Sequence, residues 1–150
     1  MSLLRVLLVD DNVTDLELMV AAFEECLDVQ LTTHTHAPSA LHWVEDQVSS
    51  DRLPHLVLLD LHMPGMDGLA WLQAIRQQPA LSQLPVLLYS LTPSDLQQQV
   101  EQLQVCGYWQ KPMTLSEMQN QAERLCAIWE RDHGFTSTTL QRVPSAVPVT

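Results

Sequence analysis

Positively charged side chains are scarce in this sequence. Its 150 residues include 7 lysines and arginines against 18 aspartates and glutamates, which gives a formal net charge of -11 at pH 7. Proteins that bind nucleic acids or anionic membranes do so through clusters of basic residues. The charge balance therefore argues against direct binding to nucleic acid or to a membrane surface.

Long apolar runs are also missing. No run approaches the roughly 18 residues that a membrane-spanning helix requires. The N-terminal segment MSLLRVLLVD reaches an acidic pair too early to be a secretory signal. We therefore expect a cytoplasmic protein without a membrane-spanning segment.

Cysteine is limited to three widely spaced residues, Cys26, Cys106 and Cys126. An odd number of distant cysteines in apolar surroundings fits neither a zinc cluster nor a disulfide framework, so we expect small buried side chains. The six histidines also lack ligand spacing on one face. A transition-metal site is therefore not expected.

Five short apolar segments are present, and they alternate with five longer amphipathic ones. The short segments cover residues 3–9, 29–33, 56–59, 86–89 and 108–110. The third segment, LVLL, is apolar throughout rather than alternating, which is typical of a strand buried on both faces of a parallel sheet. Strands that alternate with helices indicate βα units. The sequence therefore predicts an α/β fold with a five-stranded parallel sheet.

The end of the chain has a different composition. From Gly134 onward, GFTSTTLQRVPSAVPVT is rich in Thr, Ser, Pro and Val and shows no periodicity. We predict one folded domain over residues 1–133 and a flexible tail or linker stub over residues 134–150. A tail this short cannot form an output domain. Whether an output domain follows Thr150 in a longer parent protein is left open.

Polar residues stand where the predicted strands end. Asp10 and Asp11 follow the first strand, Asp60 the third, Ser90 the fourth and Lys111 the fifth. Parallel strands place their carboxyl ends, and their ligand crevice, at one edge of the sheet. Crowded carboxylates there require a divalent cation or an ammonium group to offset their charge. The pattern predicts a Mg²⁺ site and a carboxylate nucleophile for a phosphoryl group.

Each of these residues also has a plainer interpretation. Taken alone, Asp60 is compatible with a solvated loop carboxylate, Ser90 with a helix cap and Lys111 with a surface lysine. Asn12 is a better candidate than Asp11 for the N-cap of the first helix. The combination, rather than any single residue, favours the phosphoryl-transfer site.

In this combination the chain resembles the receiver domain of two-component response regulators. The motifs LLVDDN, LLDLHMPGMDG, LLYSLT and GYWQKP occur in the order and spacing of that family. The resemblance implies a flavodoxin-like, doubly wound (βα)5 fold, as in CheY-like proteins. It also implies a phosphoacceptor rather than an enzyme, with only Mg²⁺-dependent self-phosphorylation and autodephosphorylation, and a histidine kinase as partner.

The same resemblance implies the roles of individual residues. Asp60 would be the phosphoacceptor, and Mg²⁺ would be the cofactor. The metal ligands would be Asp10, Asp11, Asp60 and the backbone carbonyl of His62. The phosphoryl-binding and switch residues would be Ser90, Tyr108 and Lys111.

Two positions are expected to modulate this chemistry. His62 lies two residues after the phosphoacceptor, where the family's side chain borders the hydrolytic water, so an imidazole there would tune dephosphorylation. Leu91 replaces the small residue that usually follows the family's hydroxyl residue and would narrow the opening above Asp60. An aspartyl phosphatase would need a second carboxylate at the position that His62 occupies, which argues against that class.

A finer resemblance concerns the response regulators encoded beside cyanobacterial phytochromes. It rests on DDNVTD, on LQAIRQQPALSQLPVLLYS and on Trp129, and it implies a phytochrome-type kinase. The family's signalling surface consists of the fourth helix, the fifth strand and the fifth helix, which we expect to bind a partner or to form a homodimer. The alternative is a receiver-like binding scaffold that acts without phosphorylation.

The fifth predicted helix carries an apolar stripe at helical spacing. We expect this stripe to pack against the sheet. Its members are Leu115, Met118, Ala122, Leu125 and Trp129.

Overall fold

The computed structural model describes residues 3–26, 28–61, 63, 68–90, 105–136 and 140. These residues form one five-stranded sheet in the order β2-β1-β3-β4-β5, in which all neighbouring strands are parallel. The strands are β1 (Leu4–Val9), β2 (Val29–His34), β3 (Leu56–Asp60), β4 (Val86–Ser90) and β5 (Gly107–Gln110). The predicted α/β receiver fold is confirmed.

Four helices are described. They are α1 (Val13–Phe23), α2 (Ala37–Ser50), α3 (Gly68–Arg76) and α4 (Leu115–Asp132). The last of these is the fifth helix of the sequence prediction, because the predicted fourth helix lies outside the described residues. None of the helices in the described ranges is long and apolar enough to cross a membrane.

Two apolar cores cover the two faces of the sheet. In β1, Leu4, Val6 and Leu8 belong to the core that also contains residues of α1 and α4. The alternate residues Leu7 and Val9 belong to the core that contains residues of α2 and α3. Since both faces are covered, most positions of the inner strands β1 and β3 are buried and favour an apolar side chain, which explains their continuous apolar segments.

Local sequence fixes the start of α1 and the end of β3. Asn12 is the N-cap of α1, since its side chain accepts a hydrogen bond from the backbone N–H of Asp15, as predicted. At the start of α3, an added Cβ on Gly68 would lie only 2.5 Å from the backbone oxygen of Asp60 and 2.8 Å from Cα of Leu61. The helix can begin this close to the end of β3 only because residue 68 lacks a side chain.

The apolar stripe of α4 is buried except at its first residue. Met118, Ala122, Leu125 and Trp129 are buried, whereas Leu115 is 40% exposed. Leu115 stands at the first position of α4, directly after the N-cap Thr114. The burial predicted for Leu115 is therefore wrong, because the helix start projects beyond the core.

The predicted domain boundary after residue 133 requires correction. Phe135 and Leu140 are buried members of the core that contains α1 and α4. The Phe135 ring stacks on Trp129 with 6.1 Å between ring centroids. The backbone carbonyl of Phe135 accepts a hydrogen bond from the thiol of Cys106. Phe135 and Leu140 therefore belong to the packed unit, although both follow residue 133. Residues 141–150 lie outside the described residues.

The cysteines are not all buried as expected. Cys106 is buried, whereas Cys26 and Cys126 are half-buried. Burial, followed by a hydrogen bond to Cys26, raises the pKa of the Cys126 thiol. The Cys26 thiol also lies 3.8 Å from the backbone carbonyl of Ala122 in α4. All three cysteines are free thiols.

Candidate functional site

Three aspartates meet where β1 and β3 end. Carboxylate oxygens of Asp10, Asp11 and Asp60 all lie within 4.8 Å of one another. Asp10 and Asp60 are buried, and Asp11 is exposed. They meet because β1 and β3 are adjacent and parallel, with Val9 opposite Leu59, so Asp10 follows its strand next to Asp60.

The ammonium group of Lys111 lies beside these carboxylates. Its Nζ is 2.8 Å from Oδ2 of Asp10 and 3.5 Å from Oδ2 of Asp60. A third carboxylate, that of Asp15, is 3.0 Å from the same nitrogen. Lys111 directly follows β5, and its side chain is 15% exposed. Three carboxylates therefore contact one ammonium group, and Asp11 adds a fourth negative charge nearby, which leaves uncompensated negative charge at this edge of the sheet.

Burial and charge shift the proton equilibria of the site. Burial raises the pKa of Asp10 to about 6, although hydrogen bonds from Lys111 and from the backbone of Asn12 act in the opposite direction. Burial lowers the pKa of Lys111, but its hydrogen bonds to Asp10 and Asp15 outweigh that effect, so the pKa lies above the usual range. Lys111 is therefore charged at neutral pH, and Asp10 is the carboxyl group for which ionisation is costly.

The three aspartates offer a set of oxygen ligands for a divalent cation. Hard cations such as Mg²⁺ bind carboxylate oxygens together with backbone carbonyls and waters. The oxygens of Asp10, Asp11 and Asp60 are close enough to bind one ion together. A bound ion would offset the repulsion among them, which Lys111 offsets only in part.

The structure brings together four of the residues that the sequence analysis selected: Asp10, Asp11, Asp60 and Lys111. Ser90 ends β4 opposite Gln110, and Tyr108 lies in β5 opposite Leu88. Their side chains lie outside the described part of the structure, as do His62 and Leu91. The roles predicted for these four residues stay predictions.

Sequence reasoning missed the contribution of Asp15. Acidic residues in a first helical turn are common because they interact favourably with the helix dipole, so residue type alone did not distinguish Asp15 from other helix residues. The spacing of Asp15 was a usable signal. Asp15 lies about one helical turn after the acidic pair, and three residues after the N-cap Asn12. That spacing points its side chain back over the strand ends.

The family model for the response regulator receiver domain matches residues 6–123 of this chain. The match covers more than half of the chain and includes every carboxylate and the ammonium group of the site. The chain belongs to this family.

Individual relatives agree with this assignment. The chain is 29% identical over 116 residues to the probable chemotaxis protein CheY of Rhizobium etli, which covers 77% of this chain and 86% of that protein. It is 28% identical over 130 residues to the response regulator Rcp1 of Synechocystis sp., which covers 83% of this chain and 87% of that protein.

Solved structures of phytochrome response regulators are also similar. The Mn²⁺-bound form of Rcp1 has a TM-score of 0.70 at 27% identity and covers 83% of this chain and 93% of that chain. The phosphorylated cyanobacterial phytochrome response regulator RcpA has a TM-score of 0.78 at 24% identity and covers 89% and 98% of the two chains, a likeness that concerns the fold. The predicted resemblance to this group of response regulators is confirmed.

Proposed function

We propose that this protein accepts a phosphoryl group on Asp60 from a histidine kinase and thereby switches a signalling surface. The meeting of carboxylates and an ammonium group at one sheet edge carries this proposal. Carboxylate oxygens of Asp10, Asp11 and Asp60 lie within 4.8 Å of one another, and Lys111 Nζ lies 3.5 Å from Asp60. A carboxylate acts as a nucleophile toward phosphorus when nearby positive charge offsets that of the incoming group.

In the proposed reaction, a carboxylate oxygen of Asp60 attacks the phosphorus of a phosphohistidine. The new O–P bond forms as the P–N bond breaks, and the departing imidazole keeps the electron pair. Mg²⁺ held by Asp10, Asp11, Asp60 and the His62 carbonyl would offset the negative charge of the transferred group. Lys111 would bind one phosphoryl oxygen through a charge-assisted hydrogen bond.

The added phosphoryl group would act as a switch through its charge. It brings about -1.5 to -2 charges next to carboxylates. Ser90 would move toward a phosphoryl oxygen, and Tyr108 would turn inward into the space this leaves. The surface affected would be the predicted fourth helix, β5 and α4. We propose that this surface binds a partner or a second copy of the chain.

Two residues would set how long the phosphoryl group persists on Asp60 and how easily small donors reach Asp60. His62 would tune hydrolysis, and Leu91 would slow the entry of small donors. A His62→Ala variant is expected to change the phosphoryl half-life, and a half-life equal to that of the parent would remove this role.

The class of kinase is proposed from similarity alone. Rcp1 is named a response regulator and RcpA a phytochrome response regulator. We therefore propose a phytochrome-type histidine kinase as donor, and a cytoplasmic location for the exchange.

Phosphorylation is tested by intact-protein mass spectrometry. The parent, incubated with phosphoramidate or acetyl phosphate and Mg²⁺, is expected to gain the mass of one phosphoryl group. Asp60→Asn is expected to gain none, and Asp11→Asn to gain it slowly because one metal ligand is lost. Glu17→Gln, an exposed charge change on α1, serves as the control and is expected to behave like the parent.

If the parent gains no phosphoryl group from these donors or from a histidine kinase, the protein is a binding scaffold with a receiver fold. The buried, mutually close carboxylates speak against that alternative, because buried charges are costly unless they are used or paired. Homodimerisation is tested separately, by sedimentation at tens of micromolar with and without beryllofluoride. Monomer under both conditions would exclude the dimer.

A further inference from the structure

Lys111 does not lie symmetrically among its carboxylates. Its Nζ is 2.8 Å from Asp10 and 3.0 Å from Asp15, but 3.5 Å from the proposed phosphoacceptor Asp60. The two shorter contacts both lie on the α1 side of the site, because Asp10 lies two residues before the N-cap Asn12 and Asp15 stands in the first turn of α1. The ammonium group is thus drawn away from Asp60.

A short chain of hydrogen bonds fixes Asp15 in this position. The backbone N–H of Asp15 donates to Oδ1 of Asn12 at 3.1 Å, and the backbone N–H of Asn12 donates to Oδ1 of Asp10 at 3.0 Å. Asp10, Asn12 and Asp15 are therefore linked by the start of α1. The Asp15 side chain is 27% exposed, so its contact with Lys111 is partly shielded from water.

A role in the helix alone does not account for this contact. A first-turn carboxylate stabilises a helix wherever its side chain points, because it interacts with the helix dipole. Asp15 instead reaches across to a residue that follows β5, the strand at the far edge of the sheet from β2. Glu17, two residues further along the same helix, is exposed.

We propose that Asp15 is a positioning residue that holds the Lys111 ammonium on the Asp10 side of the site in the unphosphorylated protein. Lys111 must leave Asp15 to bind a phosphoryl oxygen on Asp60, so Asp15 limits how strongly the site holds a phosphoryl group. This proposal rests on the phosphoacceptor function proposed above.

The consequence is a defined change when Asp15 loses its charge. In Asp15→Asn, Lys111 has one fewer competing carboxylate, and the phosphoryl group has one fewer negative neighbour. Partly exposed ion pairs are modest in strength, so we expect beryllofluoride to bind about three- to tenfold more tightly at saturating Mg²⁺. Asp15→Glu keeps the charge and is expected to return the affinity toward that of the parent. Glu17→Gln removes a charge from the same helix and is expected to leave the affinity unchanged.

The position of the ammonium group can be observed directly, because Lys111 is the single lysine of the sequence. Selective ¹⁵N-lysine labelling therefore gives one side-chain ammonium resonance that needs no assignment. In Asp15→Asn we expect this resonance to shift and its hydrogen exchange with water to accelerate, since an ion-pair partner is lost. Glu17→Gln is expected to reproduce the parent resonance.

The two measurements separate the two proposals. If Asp15→Asn leaves the ammonium resonance and its exchange unchanged, Asp15 does not position Lys111. If the resonance changes but beryllofluoride binds Asp15→Asn no more tightly than the parent, Asp15 holds Lys111 without limiting phosphoryl binding, and the proposal is overturned. If the parent itself neither binds beryllofluoride nor becomes phosphorylated, the proposed function fails whatever the resonance shows.

Discussion

The pKa of Asp10 reflects its burial, the ammonium group of Lys111 and the charge of Asp60. Burial raises the pKa to about 6, Lys111 lowers it, and the charge of Asp60 raises it. Burial has the largest effect because the side chain is only 12% exposed. Asp10 is therefore partly protonated at mildly acidic pH, where an ordinary aspartate is fully ionised.

Mg²⁺ affinity is expected to depend on pH in the range where Asp10 titrates. The metal requires an ionised carboxylate, so protons compete with it below a pH of about 6, the pKa of Asp10. We expect a nearly constant affinity above about pH 7 and a loss approaching tenfold per pH unit well below the pKa. Isothermal titration calorimetry between about pH 5 and 8 measures this. An affinity that stays flat across that interval would contradict the assigned pKa.

The raised pKa of Asp10 also affects the stability of the metal-free protein. Because the folded pKa of Asp10 is raised from 3.8 to about 6, its contribution to stability is complete below pH 3.8 and is lost as the pH rises through 6. A pKa that is raised by about 2 lowers the free energy of unfolding at neutral pH by about 3 kcal/mol. Asp10→Asn, measured by urea unfolding in EDTA, should therefore be more stable than the parent at neutral pH, by up to that amount.

The difference between Asp10→Asn and the parent is expected to disappear near pH 4, where both side chains are neutral. Saturating Mg²⁺ at neutral pH should reverse it, because binding to the folded state stabilises only the protein that retains the ligand. A variant that is less stable than the parent in EDTA at pH 7 would show that the pairing of Asp10 with Lys111 outweighs the cost of burial.

The site residues that the sequence predicted correctly lie at the carboxyl ends of strands. Asp10, Asp60 and Lys111 were identifiable because parallel strands bring their carboxyl ends to one edge. Asp15 was harder to identify, because it lies within a helix whose pattern explains an acidic residue without any site. Its spacing from the N-cap Asn12 was the only signal, and the 3.0 Å distance to Lys111 shows the contact itself.

Among the elements, the close approach of α3 to β3 determines where Asp60 sits. Gly68 donates its backbone N–H to the carbonyl of Leu61, and the start of the helix lies against the backbone of Asp60. The apolar segments predicted the strands, and Pro38 lies in the first turn of α2, where a proline is well tolerated. The contact between α3 and β3 was not predictable, because it depends on the path of the intervening residues.

Gly68→Ala is expected to disturb the site without touching a charged group. The new methyl group would meet backbone atoms of Asp60 and Leu61 at 2.5 and 2.8 Å, so one of the two elements must shift. We expect Mg²⁺ affinity to fall, because Asp60 moves relative to Asp10, and the free energy of unfolding to fall by about 1–3 kcal/mol. Calorimetric titration and urea unfolding measure the two effects.

Gly134→Ala provides a matched control for this substitution. A Cβ at residue 134 would meet no atom within 4 Å, so neither affinity nor stability should fall. If Gly68→Ala behaves like Gly134→Ala, the close approach of α3 does not position Asp60.

In the molecule as a whole, the packed unit is longer than composition suggested. The segment after α4 reads as polar and irregular, and its two buried residues, Phe135 and Leu140, are five positions apart. That separation matches neither the helical nor the strand period, so no pattern in the sequence marks the segment as packed. The five-strand topology was predictable because each strand has its own local signal, whereas this contact depends on where α4 ends.

Phe135→Ala tests whether the segment belongs to the folded unit. The ring is 4% exposed and stacks on Trp129, so its removal should leave a cavity and lower the free energy of unfolding by about 3 kcal/mol. Leu115→Ala is the control, since Leu115 is 40% exposed and should cost less than about 1 kcal/mol. Urea unfolding of both variants measures this difference. If the two variants are equally stable, the boundary after residue 133 stands. Removing an aromatic ring from a segment outside the core would not lower the free energy of unfolding.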